Sequence, residues 1–201
     1  MTIGIDKIGF ATSPYVLRLE DLAAARDTDP EKLSKGLLLK EQSIAPITED
    51  IVTLAATAAD DILTDQDKQA IDMVILATES GIDQSKAAAV FVHGLLDIQP
   101  FARSFEMKEA CYTATAALDY AKLHVEKFPQ SKVLVIASDI AKYGIGTPGE
   151  PTQGSGAVAM LISHNPRMLA FHDDNVAQTR DVMDLSLIHI SEPTRLDVIS
   201  Y

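Results

Sequence analysis

The sequence predicts an α/β fold in which a mixed, mostly parallel sheet carries helices on both faces. Three segments of strand length are almost continuously apolar, at residues 71–78, 132–138 and 156–162. Such runs are typical of strands that are buried on both faces. Segments of helical periodicity separate the strands, and this alternation indicates a layered α/β fold.

The N-terminal third alternates in the same way. Apolar residues at alternating positions predict an opening strand over residues 3–10, and residues 19–26 predict a short helix. Between residues 51 and 62, apolar side chains recur at steps of three and four, which is typical of an amphipathic helix. We expect Thr48 to cap this helix, with acidic residues in its first turn.

The later elements complete the pattern. We expect a helix from Ser85 to about residue 96, a strand over residues 102–108 and a long helix over residues 111–128. A loop rich in glycine and proline, residues 143–156, precedes the last predicted strand. No linker interrupts the chain before residue 184, so residues 1–184 are expected to form one domain.

Composition narrows the classes of function. The chain has 201 residues, of which 47% are hydrophobic, and a net charge of −12. The apolar content supports a sizeable core and argues against long disorder. The acidic balance argues against broad contact with nucleic acid or an anionic membrane, because both require a basic surface.

The single cysteine, Cys111, excludes an intrachain disulfide and a metal site built from several cysteines. The N-terminus shows no signal peptide, and no segment reaches the roughly 18 apolar residues that a membrane-spanning helix needs. We therefore expect a cytoplasmic protein.

Cys111 lies where the predicted strand 102–108 gives way to an apolar helix. Free amides and the dipole at a helix N-terminus stabilise a thiolate, so this position predicts a lowered thiol pKa and a nucleophilic sulfur. The same amides are placed to hold a developing oxyanion. The alternative is a small side chain buried in the core.

Two acidic residues follow buried strands. Glu79 comes directly after residues 71–78, and Asp139 after residues 132–138. Ligand sites collect at the carboxyl ends of parallel strands, so three strand ends are expected to converge on one pocket with Cys111. A partly desolvated carboxylate there would acquire the raised pKa of a general base. A solvated loop acid is the alternative for each residue.

Several motifs, in order, carry a family resemblance. They are TES at residues 78–80, QPFARSFE at 99–106, EACYTATA at 109–116, SDIAKY at 138–143 and GEPTQGSGAVA at 149–159. Together they resemble the bacterial hydroxymethylglutaryl-CoA synthases of the thiolase superfamily. The resemblance runs to about Asp184 and implies the first of the two α/β halves of the thiolase fold.

The resemblance implies condensation of acetyl-CoA with acetoacetyl-CoA and water to give 3-hydroxy-3-methylglutaryl-CoA and CoA, in the mevalonate route to isoprenoids. It implies that Cys111 carries the acetyl group as a thioester and that Glu79 removes a proton from the acetyl methyl. The partners implied are the two CoA thioesters and a second copy of the complete enzyme. No metal or redox cofactor is implied.

The resemblance also implies substrate-binding positions. Asp139, Tyr143 and Asp184 match positions that support the thioester, and Thr152 matches a position near the bound acyl product. Asp29 matches a position near the pantetheine or acetoacetyl group.

Family members have about twice as many residues, so the resemblance implies that only the N-terminal half is present and that the chain alone is inactive. The general-acid histidine of the family lies in the other half. None of the five histidines matches its motif: His93, His124, His164, His172 and His189.

Residues 186–195 resemble the conceptual translation of a sequencing-library adapter, so residues 185–201 are expected to be a non-native tail. A last strand over residues 187–190 is the alternative. Two other readings of the chain remain. One is a ketoacyl synthase of the same superfamily, which uses histidine and asparagine rather than a glutamate base. The other is a non-catalytic fragment.

Overall fold

The structure is a computed structural model that describes residues 2–173 together with Ala177 and Thr179. Asp184 and the tail predicted over residues 185–201 lie outside the described residues. The described chain divides into two compact units. The first contains residues 2–15, Ser43–Ile140 and Gly154–His172, and the second contains Val16–Gln42 and Ala141–Gln153.

The secondary structure of the described residues follows the predicted alternation. The strands are β1 (Ile3–Thr12), β2 (Tyr15–Arg18), β3 (Glu41–Ile44), β4 (Ile71–Ala77), β5 (Arg103–Met107), β6 (Lys132–Ala141), β7 (Gly154–His164) and β8 (Leu169–Ala170). The helices are α1 (Leu19–Ala25), α2 (Pro30–Leu37), α3 (Ile51–Asp60), α4 (Asp65–Ala70), α5 (Ala88–Leu95) and α6 (Thr113–Lys127). None of these helices is both long enough and apolar enough to span a membrane.

The first unit is built on a six-stranded mixed sheet with the order β5-β4-β6-β7-β1-β8. Strand β4 pairs in parallel with both β5 and β6, whereas β1 pairs antiparallel with β7 and β8. Strand β7 follows β6 through a loop rich in glycine and proline rather than a helix, so the strand and helix alternation ends there. The predicted α/β class and mixed sheet are confirmed.

Alternate residues of the central strands pack on opposite faces of this sheet, as the two-residue period of a strand requires. One face packs against α3 and α5 and includes Val74, Leu76, Leu134, Ile136 and Leu161. The other face packs against α6 and includes Met73, Ile75, Val133, Val135 and Ile162. Both faces are therefore covered by helices, which explains why these strands are almost continuously apolar.

Three helices begin at residues other than those predicted, and one of them is α6, which begins at Thr113 rather than at residue 111. Helix α3 is capped by Asp50, whose side chain accepts a hydrogen bond from the Thr53 amide in a capping box, so the predicted cap Thr48 lies outside the helix. Helix α5 begins three residues after Ser85. The Asp83 carboxylate accepts hydrogen bonds from the amides of Ser85 and Lys86, which holds these residues in a loop.

The second unit contains α1 and α2 and an ion pair between the exposed Arg26 and the buried Glu150. The Glu150 carboxylate accepts two hydrogen bonds from the Arg26 guanidinium, at 2.8 and 2.7 Å, and one from the Gly146 amide at 2.8 Å. The bonds from Arg26 hold the pKa of Glu150 below its usual value. This bidentate pair joins α1 to the glycine-rich loop of the same unit.

A buried carboxylate ties three elements of the first unit together. Asp67, in α4, accepts hydrogen bonds from Lys7 Nζ and Lys132 Nζ, both at 2.6 Å, and from the Thr64 hydroxyl at 2.7 Å. Burial acts to raise the pKa of Asp67, but the bonds from Lys132, Lys7 and Thr64 outweigh it and hold that pKa well below its usual value. Asp67 is therefore ionised in the folded protein.

Asp67→Asn is expected to lower the free energy of unfolding at pH 7 by about 2 to 3 kcal/mol, because two partly buried lysines lose their counter-charge. The low folded pKa stabilises the native state above about pH 4, and this stabilisation is lost as the pH falls through the folded pKa. Urea denaturation at several pH values measures both effects. Asp60→Asn, at an exposed pair with Lys68, is the matched control, and equal losses for the two variants would contradict the account.

Candidate active site

The carboxyl ends of three neighbouring strands meet at one edge of the sheet in the first unit. Because β4 is parallel to β5 and β6, these strands end on the same side. Glu79 follows β4, Asp139 lies near the end of β6, and Cys111 follows β5 after a short turn. The structure therefore brings together the three residues that the sequence analysis expected to converge.

The central contact joins the thiol to the carboxylate. Cys111 Sγ lies 3.7 Å from Glu79 Oε1, with the thiol donating. Both residues are exposed, so a ligand can reach the sulfur and the carboxylate. Exposure also removes the desolvation that was expected for Glu79. The arrangement places a nucleophile within reach of a proton acceptor, as covalent catalysis with a general base requires.

A tight turn over residues 109–113 presents the cysteine. Ala110 adopts a left-handed conformation with φ of 44°, which costs a residue other than glycine about 1 to 2 kcal/mol. The buried Thr113 hydroxyl donates to the Ala110 carbonyl at 2.8 Å and accepts from the Glu109 amide at 2.6 Å. Thr113 thus closes the turn and fixes the backbone on both sides of the sulfur.

This turn changes the expected role of the helix N-terminus. Helix α6 begins at Thr113, two residues after Cys111. The amides of Tyr112 and Thr113 donate to the carbonyls of Glu109 and Ala110, at 3.1 and 3.3 Å. Both amides are therefore engaged within the turn, and the expectation that amides beside the cysteine would be free to hold an oxyanion is wrong for these two.

The lowered thiol pKa expected from the helix dipole is also wrong. Partial burial of the sulfur raises the pKa of the Cys111 thiol, and the charge and hydrogen bond of Glu79 raise it further. The charge of Asp139 acts in the same direction, and the backbone amide of Cys111 opposes them. Burial of the sulfur and the two carboxylates together outweigh the backbone contact, so the thiol is protonated at neutral pH.

Glu79→Gln is expected to lower the pKa of the Cys111 thiol, because it removes a negative charge that disfavours the thiolate. The pH dependence of alkylation by iodoacetamide measures this pKa directly, since the chain has one cysteine. The midpoint should move to lower pH in the variant. Glu126→Gln, at an exposed position on α6, is the control, and an unchanged midpoint in Glu79→Gln would contradict the geometry of the pair.

Asp139 holds the backbone that carries Glu79. Its Oδ1 accepts hydrogen bonds from the amides of Glu79 and Ser80, at 2.8 and 3.0 Å. The hydroxyls of Thr78 and Ser80 donate to the same oxygen, each at 2.9 Å. These contacts fix the first residues after β4 and point to a positioning role for Asp139.

Three other predicted binding residues, Asp29, Tyr143 and Thr152, lie in the second unit, and Asp184 lies outside the described residues. Asp29 caps α2 by accepting a hydrogen bond from the Glu31 amide at 2.9 Å. Tyr143 is exposed and packs against Gly149, where an added Cβ would lie 2.8 Å from the tyrosine Cβ. The Thr152 hydroxyl donates to the Gly149 carbonyl at 2.9 Å. Their roles in substrate binding stay predictions.

Comparison with known proteins identifies the family. The family model described as hydroxymethylglutaryl-coenzyme A synthase N terminal matches residues 2–167. The hydroxymethylglutaryl-CoA synthase of Enterococcus faecalis is 59% identical over 184 residues, which cover 92% of this chain and 48% of the relative.

Two solved structures share the fold. A crystal structure of HMG-CoA synthase complexed with CoA superposes with a TM-score of 0.90 at 71% identity, covering 92% of this chain and 47% of the other. A structure of MvaS in complex with 3-hydroxy-3-methylglutaryl coenzyme A gives a TM-score of 0.85 at 39% identity, covering 91% and 45%. The chain spans about half the length of these relatives. It belongs to the hydroxymethylglutaryl-CoA synthase family and corresponds to the N-terminal region of that family's enzymes.

Proposed function

We propose that this chain is the nucleophile-bearing half of a hydroxymethylglutaryl-CoA synthase. Its relatives have a second half as well, and we call the chain joined to such a second half the two-half enzyme. The contact of Cys111 Sγ with Glu79 Oε1 at 3.7 Å is the observation that carries this proposal. It supplies a nucleophile and a base at one point, as the condensation of two acyl thioesters requires. The family match favours this reaction over that of a ketoacyl synthase.

The first step is acetyl transfer. Cys111 loses its proton to Glu79, and the sulfur attacks the carbonyl carbon of acetyl-CoA. A carbon–sulfur bond to the cysteine forms as the bond to CoA breaks, and CoA leaves as a thiolate that takes up a proton. The raised pKa of the Cys111 thiol makes the adjacent acceptor useful, because the thiol is otherwise protonated at neutral pH.

The second step is condensation. Glu79 removes a proton from the methyl group of the acetyl-cysteine, and the resulting carbanion equivalent attacks the ketone carbon of acetoacetyl-CoA. The alkoxide so formed takes up a proton. Water then cleaves the cysteine thioester, which releases 3-hydroxy-3-methylglutaryl-CoA with a free carboxylate and restores the thiol. One acetyl-CoA, one acetoacetyl-CoA and one water give this product and CoA.

The two relatives bound to CoA and to 3-hydroxy-3-methylglutaryl coenzyme A support CoA thioesters as the ligands. We assign the substrate contacts to Tyr143, Thr152, Asp184 and Asp29, as the family resemblance implies. Asp139 accepts a hydrogen bond from the Glu79 amide and so positions Glu79 beside the acetyl-cysteine. A homodimer is the assembly that the family resemblance implies for the two-half enzyme.

The described residues supply the nucleophile and the base but match no general acid for the ketone of acetoacetyl-CoA. We therefore propose that the 201-residue chain alone carries out acetyl transfer to Cys111 but not condensation, which needs the second half. This proposal keeps acetyl transfer separate from turnover, so the two reactions can be measured independently.

The test is product formation from acetyl-CoA and acetoacetyl-CoA, followed by mass spectrometry, in the two-half enzyme and in the 201-residue chain. The two-half enzyme should form 3-hydroxy-3-methylglutaryl-CoA, and the chain alone should form none. Simple thioester hydrolysis by the two-half enzyme, without the condensation product, would overturn the proposed function. Product formed by the chain alone would overturn the requirement for a second half.

A further inference from the structure

The loop that carries Glu79 is contacted by Glu106, a side chain on the neighbouring strand β5. We propose that Glu106 is a positioning residue that fixes the segment of residues 79–87, here called the base loop, and so sets the position of the Glu79 carboxylate beside Cys111. This inference rests on the proposed function for its catalytic consequence. Its geometric part concerns the Glu79–Cys111 contact alone.

Glu106 closes the far end of the base loop. Helix α5 begins at Ala88 and has no hydrogen bond from a capping side chain on its N-cap residue, Ala87. The Glu106 Oε2 atom accepts a hydrogen bond from the Ala88 amide at 2.8 Å. A carboxylate at this position satisfies a free helical amide and complements the helix dipole. Strand β5 thus supplies the cap that the loop sequence lacks.

The other oxygen of Glu106 lies against the near end of the loop. An added Cβ on Gly81 would lie 2.8 Å from Glu106 Oε1, which is closer than side-chain carbons normally approach. The loop therefore passes directly over the carboxylate, two residues after Glu79. The Glu106 side chain therefore contacts the base loop at Gly81 and the first residue of α5, directly after the loop.

The same side chain connects the loop to the strand that leads to the nucleophile. Glu106 pairs with Leu76 in the parallel ladder of β4 and β5, and the Thr78 amide extends this pairing to the Met107 carbonyl at 3.3 Å. Cys111 follows five residues after Glu106. Glu106 therefore sets the position of Glu79 relative to the Cys111 sulfur, and it lies on β5, the strand that leads to Cys111.

Asp139 and Asp83 brace the remaining parts of the loop. Asp139 holds the amides of Glu79 and Ser80, and Asp83 holds those of Ser85 and Lys86. Neither contact spans the segment from Gly81 to α5. Among the described residues, the Glu106 carboxylate contacts both Gly81 and the first residue of α5. Without it, we expect the segment between these two points to loosen and Glu79 to sample positions farther from the sulfur.

The experiment measures the thiol pKa of the 201-residue chain by iodoacetamide alkylation across pH. Glu79 and Asp139 are the charged groups that raise the Cys111 pKa, so displacement of Glu79 lowers the alkylation midpoint. Glu106→Ala should shift the midpoint downward, in the same direction as Glu79→Gln and by no more. Glu106→Gln, which keeps an acceptor for the Ala88 amide, should lie between Glu106→Ala and wild type. Glu126→Ala should leave the midpoint unchanged.

A double-mutant cycle separates positioning from general destabilisation. Glu106→Ala should have no further effect on the midpoint in the Glu79→Gln background, because the displaced charge is already absent. Gly81→Ala, which pushes against the Glu106 carboxylate, should lower the midpoint in the wild-type background and have no effect in Glu106→Ala. It also provides a second perturbation should Glu106→Ala fold poorly.

A catalytic readout follows in the two-half enzyme. Glu106→Ala should slow condensation by about tenfold or more while acetylation of Cys111 stays within about twofold. The inference is overturned if the alkylation midpoint stays at its wild-type value, or if it shifts equally in the Glu79→Gln background. Alkylation requires no acyl substrate, so this result stands even if acetyl transfer, and with it the proposed function, fails.

Discussion

Cys111→Ala in the two-half enzyme is expected to abolish both acetyl transfer and formation of 3-hydroxy-3-methylglutaryl-CoA. The 201 residues contain no other thiol, so no thioester can form in this half. Incorporation of radiolabelled acetyl groups measures the first reaction, and mass spectrometry measures the product. A fall to background in both assays is the largest effect that the account expects from one substitution.

Cys111→Ser is the matched variant, because it keeps a side chain of similar size in the turn beside Ala110. It should fold like the wild type and retain little acetyl transfer, since a hydroxyl is a far weaker nucleophile than a thiol in the same place. Normal acetylation of the Cys111→Ala variant would show that another group accepts the acetyl and that Cys111 has a structural role.

Glu79→Gln is expected to separate the two half-reactions. Condensation should fall by at least about 10²-fold, because the acetyl methyl loses its positioned base. Acetylation should change far less. The variant loses a neighbouring acceptor for the thiol proton, but removal of the negative charge lowers the pKa of Cys111 and raises the thiolate fraction.

Exchange of the acetyl methyl hydrogens with deuterated water isolates proton removal from the later steps. Acetylated wild type should exchange these hydrogens, and acetylated Glu79→Gln should exchange them at least about 10²-fold more slowly. Glu126→Gln, on the exposed face of α6, should behave as wild type. Equal losses of acetylation and exchange in Glu79→Gln would assign Glu79 a structural role.

The convergence of the site could be predicted from sequence because it follows from topology. The apolar runs of β4 and β6 identify buried strands, and parallel pairing then places Glu79 and Asp139 at one edge. The family resemblance supplied the chemical roles. The approach of Cys111 to Glu79 also requires that β5 lie beside β4, which is the arrangement observed.

Elements without an apolar pattern were missed. Helix α2 buries none of its residues, and its apolar face consists of only Leu33 and Leu37, which is too short a stripe to identify a helix from sequence. Helix α4 is almost wholly polar and depends on the Thr64–Asp67 capping box and on lysines distant in sequence. Strands β2 and β3 have four residues each, β2 is mostly exposed, and β3 buries only the polar Gln42.

The pKa of the Cys111 thiol and the contacts that position the loop after β4 could not be predicted either. A strand-to-helix position suggests a lowered thiol pKa, but partial burial of the sulfur and the charges of Glu79 and Asp139 raise the pKa instead. The role of Glu106 depends on a contact across β5 and α5 that no local spacing encodes. Thr113 did leave a signal, because threonine is a common residue at helix starts, and its hydroxyl fixes the turn that holds Cys111.

The central claim is that Cys111 takes an acyl group from a CoA thioester. The most direct measurement is intact-mass and peptide-mapping mass spectrometry of the 201-residue chain after incubation with acetyl-CoA. We expect one added acetyl group, located on Cys111 and released by hydroxylamine as a thioester. An acetyl group found only on lysines, or a chain that stays unmodified at Cys111 while iodoacetamide still alkylates it, would contradict the claim.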